Sequence, residues 1–143
     1  MLDKTADKIF VFGGVNDFLH GCAPLGKKDD FDYYTFNGAV NKLFATLIDM
    51  YGKQNVIVIL PLKVFDLSNR VNEATGLHLI DYVNVIKYYV DYYGLKCINL
   101  YDDGLPEPQT CGECELFLDG VHPNDKGYEI VAKKICEFIK NDK

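Results

Sequence analysis

Asp119-Gly120-Val121-His122-Pro123-Asn124 places a carboxylate and an imidazole three residues apart on a short, turn-forming stretch. Histidine is the side chain whose ordinary pKa suits proton transfer near neutrality. A base in acyl transfer also needs a carboxylate to fix its tautomer and stabilise the imidazolium. A tight turn can supply both groups from one local segment, with Pro123 and Asn124 locking the turn and capping a following helix. The same residues would also suit a plain surface turn with a solvated histidine. A second candidate, Gly13-Gly14-Val15-Asn16-Asp17, follows an apolar run. Glycines there let the backbone turn sharply and approach a ligand, and the Asn16 amide can donate to a developing oxyanion. The plain alternative is that Asn16 and Asp17 shape a turn or cap a helix.

Both segments gain meaning from the elements that must hold them. Lys8-Ile-Phe-Val-Phe12, stopped by Gly13-Gly14, reads as a buried strand. Apolar residues at 36, 40, 43, 44, 47, 48 and 51 form a helical stripe, with Gly52 placed as its C-terminal cap. Val56 to Leu60, stopped by Pro61, is a second strand. Another stripe at Leu79, Val83, Ile86, Val90 and Tyr93 ends at Gly94, and Leu95 to Tyr101 reads as a third strand. After an irregular segment, Asp102 to Phe117, a last helix starts near Asn124 with a stripe at 128, 131, 132, 135, 138 and 139.

Strands alternating with helices, without hairpin turns, predict an α/β fold with right-handed crossovers and a parallel sheet. Function in such sheets gathers beyond the carboxyl ends of the strands. That edge is formed by the loops Gly13 to Phe31, Pro61 to Gly76 and Asp102 to Asn124, so it holds both candidate motifs although they lie about 100 residues apart.

These residues resemble the SGNH (GDSL-type) hydrolases, a superfamily of serine esterases and acylhydrolases. Gly14-Val15-Asn16-Asp17 is similar to the family's G-x-N-D block, and Asp119-Gly120-Val121-His122 to its D-x-x-H block. Pro24-Leu25-Gly26 and Pro123-Asn124 also look like stretches common in bacterial members. The resemblance runs from Lys8 to the end of the chain. It implies a three-layer, flavodoxin-like fold in one domain over residues 1–143. It implies roles too: His122 as base, Asp119 as its orienting carboxylate, Asn16 as oxyanion donor, and Gly14 and Asp17 in the same loop. The implied substrate is a small acyl ester, such as an acetylated carbohydrate, and no cofactor is called for.

The resemblance is incomplete. The family's first block, a Gly-Asp-Ser segment carrying the nucleophile, and its second block, a glycine oxyanion donor, have no counterpart here. The chain holds a single serine, Ser68, outside any nucleophile context, and no G-x-S-x-G elbow. The expectation is therefore a carboxyl-terminal portion of such a hydrolase, missing its first strands and close to inert alone. In the family the missing strand lies beside Lys8–Phe12, so that edge is expected to dimerise or to pair with a separate amino-terminal piece. The rival reading is a non-catalytic binding or assembly module that keeps the fold. A flavodoxin-like nucleotide binder ranks last, since no phosphate loop such as G-x-G-x-x-G is present.

Composition narrows the field further. Lys and Arg total 15 against 21 Asp and Glu, a net charge of −6, with one arginine, Arg70. Nucleic-acid binding through a basic face is not expected. No apolar run nears the roughly 18 residues that span a bilayer, and MLDKTADK does not look like a signal peptide. Five cysteines, an odd number, argue against a disulfide framework and favour a cytoplasmic setting. Cys111-Gly-Glu-Cys114 has metal-knuckle spacing and, with His20 and Cys22, offers a weak zinc alternative. Ordinary reduced thiols are the favoured reading, with Cys97 and Cys136 buried. Phe31, Tyr33 and Tyr34 are expected to pack the start of the first long helix.

Overall fold

The structure is a computed structural model that describes residues 2–21, 23–65 and 70–142. Ser68 and Cys22 lie outside the described residues. Three strands, β1 (Ile9–Phe12), β2 (Val56–Ile59) and β3 (Lys96–Ile98), form a parallel sheet in the order β1-β2-β3. Ile9 stands opposite Val56, and Ile57 opposite Lys96. Among the described residues five helices accompany them: α1 (Val15–His20), α2 (Phe36–Tyr51), α3 (Leu79–Tyr93), α4 (Leu100–Asp103) and α5 (Asp125–Asn141). A 3₁₀ turn, Lys53–Asn55, leads from α2 into β2.

The layers follow from the two-residue alternation of each strand. Ile9, Val11, Val56 and Val58 face α2 and α3, packing with Phe44, Leu47, Tyr82, Val83 and Tyr89 in the larger core. Ile57, Ile59 and Ile98 face the other way, onto Leu105, Phe117 and Val131 of α5 and the segment before it. All four residues of β2 are buried, as a central strand covered on both faces requires. The result is three layers, helix on sheet on helix.

The two glycine stops work as the sequence suggests. Gly94 takes a left-handed conformation (φ 62°) and donates its N–H to the carbonyls of Val90 and Asp91. Gly52 (φ 80°) donates to Ile48. At its other end α3 begins on His78, whose N–H donates to the Asp81 carboxylate at 2.7 Å.

Several expectations need correction. The stretch after β1, read as loop, contains α1, a six-residue helix too short to show a stripe. The third strand ends at Ile98, and α4 replaces its second half because the Asn99 side chain caps a helix by accepting from Asp102 N at 3.1 Å. The stripe on α5 is only partly covered: Val131 is buried, whereas Tyr128, Ile139 and Cys136 are exposed. Phe31, Tyr33 and Tyr34 are exposed as well, the Tyr33 and Tyr34 rings lying tilted against each other with centroids 4.2 Å apart. Polar anchors, not aromatic packing, hold their loop: Asn37 Nδ2 donates to Leu25 O, Asn41 Nδ2 to Asp30 O, and Tyr88 to the Asp29 carboxylate.

Among the described residues, no strand pairs with the outer edge of β1. β1 is an edge strand, and Phe10 and Phe12, whose register neighbours Ile57 and Ile59 are buried, remain 38% and 50% exposed.

Candidate active site

The Asp119–His122 turn is held by hydrogen bonds that its own sequence supplies. Asp119 Oδ1 accepts from the backbone N–H groups of Val121 (3.0 Å) and His122 (2.8 Å). Its Oδ2 accepts from His122 Nδ1 at 2.8 Å. Gly120 sits between them at φ 74°, a conformation costly for other residues. A side chain there would also strike Thr110 O and the Cβ of Phe65. Below the turn, Leu118 N donates to His122 O, and Asn124 caps α5 by accepting from Gly127 N. Phe65 N donates to Gly120 O at 2.8 Å, tying the loop after β2 to the histidine turn.

This arrangement fixes the protonation pattern. The hydrogen bonds from the His122 backbone, the His122 ring and the Val121 backbone lower the Asp119 carboxyl to about 2. An ionised carboxylate can only accept, so Nδ1 carries the ring hydrogen, and in the neutral imidazole the lone pair is then on Nε2. Both side chains are open to water, His122 at 67% and Asp119 at 52%, so coulombic attraction contributes little and the bonded turn sets the geometry.

Across the strand ends, Gly14 (φ 109°) precedes α1, and no side chain caps that helix. Asn16 therefore does not serve as the cap. It is exposed and makes no side-chain hydrogen bond to any described residue. Asn16 and His122 line one cavity of about 200 Å³. Its other walls are the Gly13–Gly14 backbone and the apolar side chains of Leu62, Val64, Val121 and Tyr128. Gly14 is a candidate from the sequence and Val121 lies within the D-x-x-H stretch, whereas Leu62, Val64 and Tyr128 were not candidates for the site. The only signal was that Pro61 onward follows a strand's carboxyl end, where a loop must border the site. An imidazole lone pair, an unengaged amide and an apolar recess together can serve acyl transfer.

The remaining candidates separate. Asp17 faces a different apolar groove of about 260 Å³, lined by Val11, Val40, Leu43 and Phe44, which shares Phe12, Gly13 and Gly14 with the first cavity. His20 lines a third cavity beside Arg70 and Asn72. Among the described residues, which leave out Cys22, no group of three or more His, Cys, Asp or Glu is placed to hold a metal. Cys97 is half-buried and burial pushes its thiol up to about 11. No helix among the described residues is long and apolar enough to cross a membrane.

A family model described as GDSL-like lipase/acylhydrolase matches residues 2–135. A crystal structure of a protein from Lactobacillus plantarum is similar at 26% identity and a TM-score of 0.79, covering 98% of this chain and 69% of that one. An acetyl xylan esterase structure is similar at 28% identity and a TM-score of 0.67, over 95% of this chain and 68% of that one. A lipase/acylhydrolase from Enterococcus faecalis shares the fold at 24% identity and a TM-score of 0.64, with 96% and 63% covered. The chain thus spans about two thirds of the length of these structures. No curated protein matches it.

Proposed function

Because the chain belongs to the GDSL-like lipase/acylhydrolase family, we propose that it carries the base half of a serine esterase site acting on small acyl esters. The observation that carries this reading is a single cavity lined both by the Asp119-held His122 and by Asn16, whose amide is unengaged. His122 Nε2 takes the proton from an attacking serine hydroxyl and returns it to the leaving alcohol. Asp119 holds the ring and stabilises the imidazolium, and the Asn16 amide donates to the oxyanion as the ester carbonyl becomes tetrahedral. The apolar recess beside them suits a short acyl group, and the acetyl xylan esterase among the similar structures makes an acetylated carbohydrate the first substrate to try.

The serine is the part that this sequence does not place at the site. Ser68 is its only serine. A strand laid parallel on the open edge of β1 would end beside Gly13 and Gly14, which border the His122 cavity. An amino-terminal segment pairing there can deliver a nucleophile to Nε2 while covering Phe10 and Phe12. The 143-residue chain alone is then close to inert, since a triad without its nucleophile retains little catalysis.

Hydrolysis of p-nitrophenyl acetate by this chain, beside its His122→Ala variant, tests the reading. Equal rates near background are expected. A clear rate that disappears with His122 would show that the site already holds its nucleophile, making Ser68 or a partner chain the residue to find. A clear rate indifferent to His122 would overturn the assignment of the base.

A further inference from the structure

The segment that frames the histidine turn carries two thiols. Cys111 and Cys114 are both free; Cys111 is exposed, and Cys114 is half-buried against the core beneath α5. Their backbones touch the turn at both of its ends. At one end Asn124 Nδ2 donates to Cys114 O at 3.2 Å and to Glu115 O at 3.0 Å, while Asn124 N donates to Leu116 O. At the other, a Cβ added to Gly120 would stand 3.1 Å from Cys111 Cα and 2.6 Å from Thr110 O. The residues bearing Asp119 and His122 are thus bracketed by the residues bearing the two sulfurs. Between the two cysteines the space beside Gly112 is open, since a Cβ there would meet nothing within 4 Å.

We propose that Cys111 and Cys114 form a thiol–disulfide exchange site whose state sets the position of the His122 ring. Its effect on catalysis rests on the proposed role of His122, whereas the exchange and the ring's response do not. The exposed Cys111 thiolate attacks one sulfur of a small-molecule disulfide, forming a mixed disulfide and releasing one thiolate. The Cys114 thiolate then attacks the Cys111 sulfur and releases the second. Two cysteine thiols are oxidised, one external disulfide is reduced to two thiols, and the two cysteine protons pass to the released thiolates. The new bond holds the two Cα atoms about 4.4–6.8 Å apart and restricts the 111–114 turn. Asn124 and Gly120 pass that restriction to the histidine. The other described thiols are poorer candidates: burial holds Cys97 protonated up to about 11, and Cys136 lies on α5, outside this segment.

The test treats the reduced chain with oxidised glutathione near neutral pH, maps its cysteines by peptide mass, and follows the His122 ring resonances by NMR. The expected result is a 111–114 peptide lighter by two hydrogens with no glutathione retained, and His122 resonances that move and return on adding a dithiol reductant. Cys111→Ser should abolish the movement, and Cys136→Ser should leave it intact. Thiols that stay free, a persistent glutathione adduct on either cysteine, or pairing with Cys22 or Cys136 would overturn the proposal. So would a 111–114 disulfide that leaves the His122 resonances in place. None of these readouts depends on ester hydrolysis, so failure of the esterase reading is recognised separately.

Discussion

Asp119 shows how a carboxylate can be tuned without burial. Three hydrogen bonds from within three residues hold its carboxyl at about 2, against 3.8 for an unperturbed aspartate. Because the folded value is the lower one, the unfolded chain takes up the proton first as pH falls. The turn's contribution to stability is whole above about pH 4 and fades as pH drops through the folded value of about 2. Carbon-detected NMR of the Asp119 carboxyl should give a midpoint near 2 in the native chain and near the ordinary aspartate value in urea. A native midpoint near 4 would mean that the turn's hydrogen bonds do not form in solution. This locality also made the pair legible in the sequence, since Asp119, Gly120 and His122 satisfy one another within four residues. The cavity walls at Leu62, Val64 and Tyr128 were not legible, because only the packing of β2's loop against α5 brings them to His122.

At the scale of elements, legibility followed length and punctuation. β1 and β2 were readable to within a residue because their apolar runs end at Gly13 and Pro61, and α2 and α3 because two stripes of about four turns end at glycines. α1 and α4 have six and four residues, too few for any stripe, and the Asn99 cap was the only mark that α4 left. Gly127 is a further case in which packing overrules local preference. It lies inside α5, where alanine is ordinarily favoured by about 1 kcal/mol. A Cβ there would stand 2.3 Å from Leu116 O and 2.8 Å from Pro123 Cβ, so backbone would have to shift. Overpacking of this kind costs about 1–3 kcal/mol, which exceeds the propensity gain. Gly127→Ala should therefore lower the urea midpoint, by about 1 kcal/mol of net stability after that gain is subtracted. A raised midpoint would show that helix and turn are not in contact.

For the whole molecule, the deciding feature is the margin at β1. An open strand edge flanked by half-exposed Phe10 and Phe12 invites pairing, and the protein places no charged side chain within the strand itself to deter it. The two rings together expose about one full ring's area, about 200 Å², so a partner that covers them gains about 5 kcal/mol per copy. Two copies meeting edge to edge gain about 10 kcal/mol, against about 4–15 kcal/mol for the freedom lost on association. Gain and cost are of one size, so self-association should be weak and set by concentration. A segment joined to the same chain, or already folded against it, escapes most of that entropic cost and would displace the second copy. Sedimentation velocity should then show a monomer–dimer equilibrium that shifts with concentration, and Phe12→Lys should move it toward monomer without unfolding the chain, since Phe12 lies outside both cores. A sharply monomeric parent at every concentration would mean that this edge is silent. The amino-terminal strand proposed for the serine would then need another place to pair.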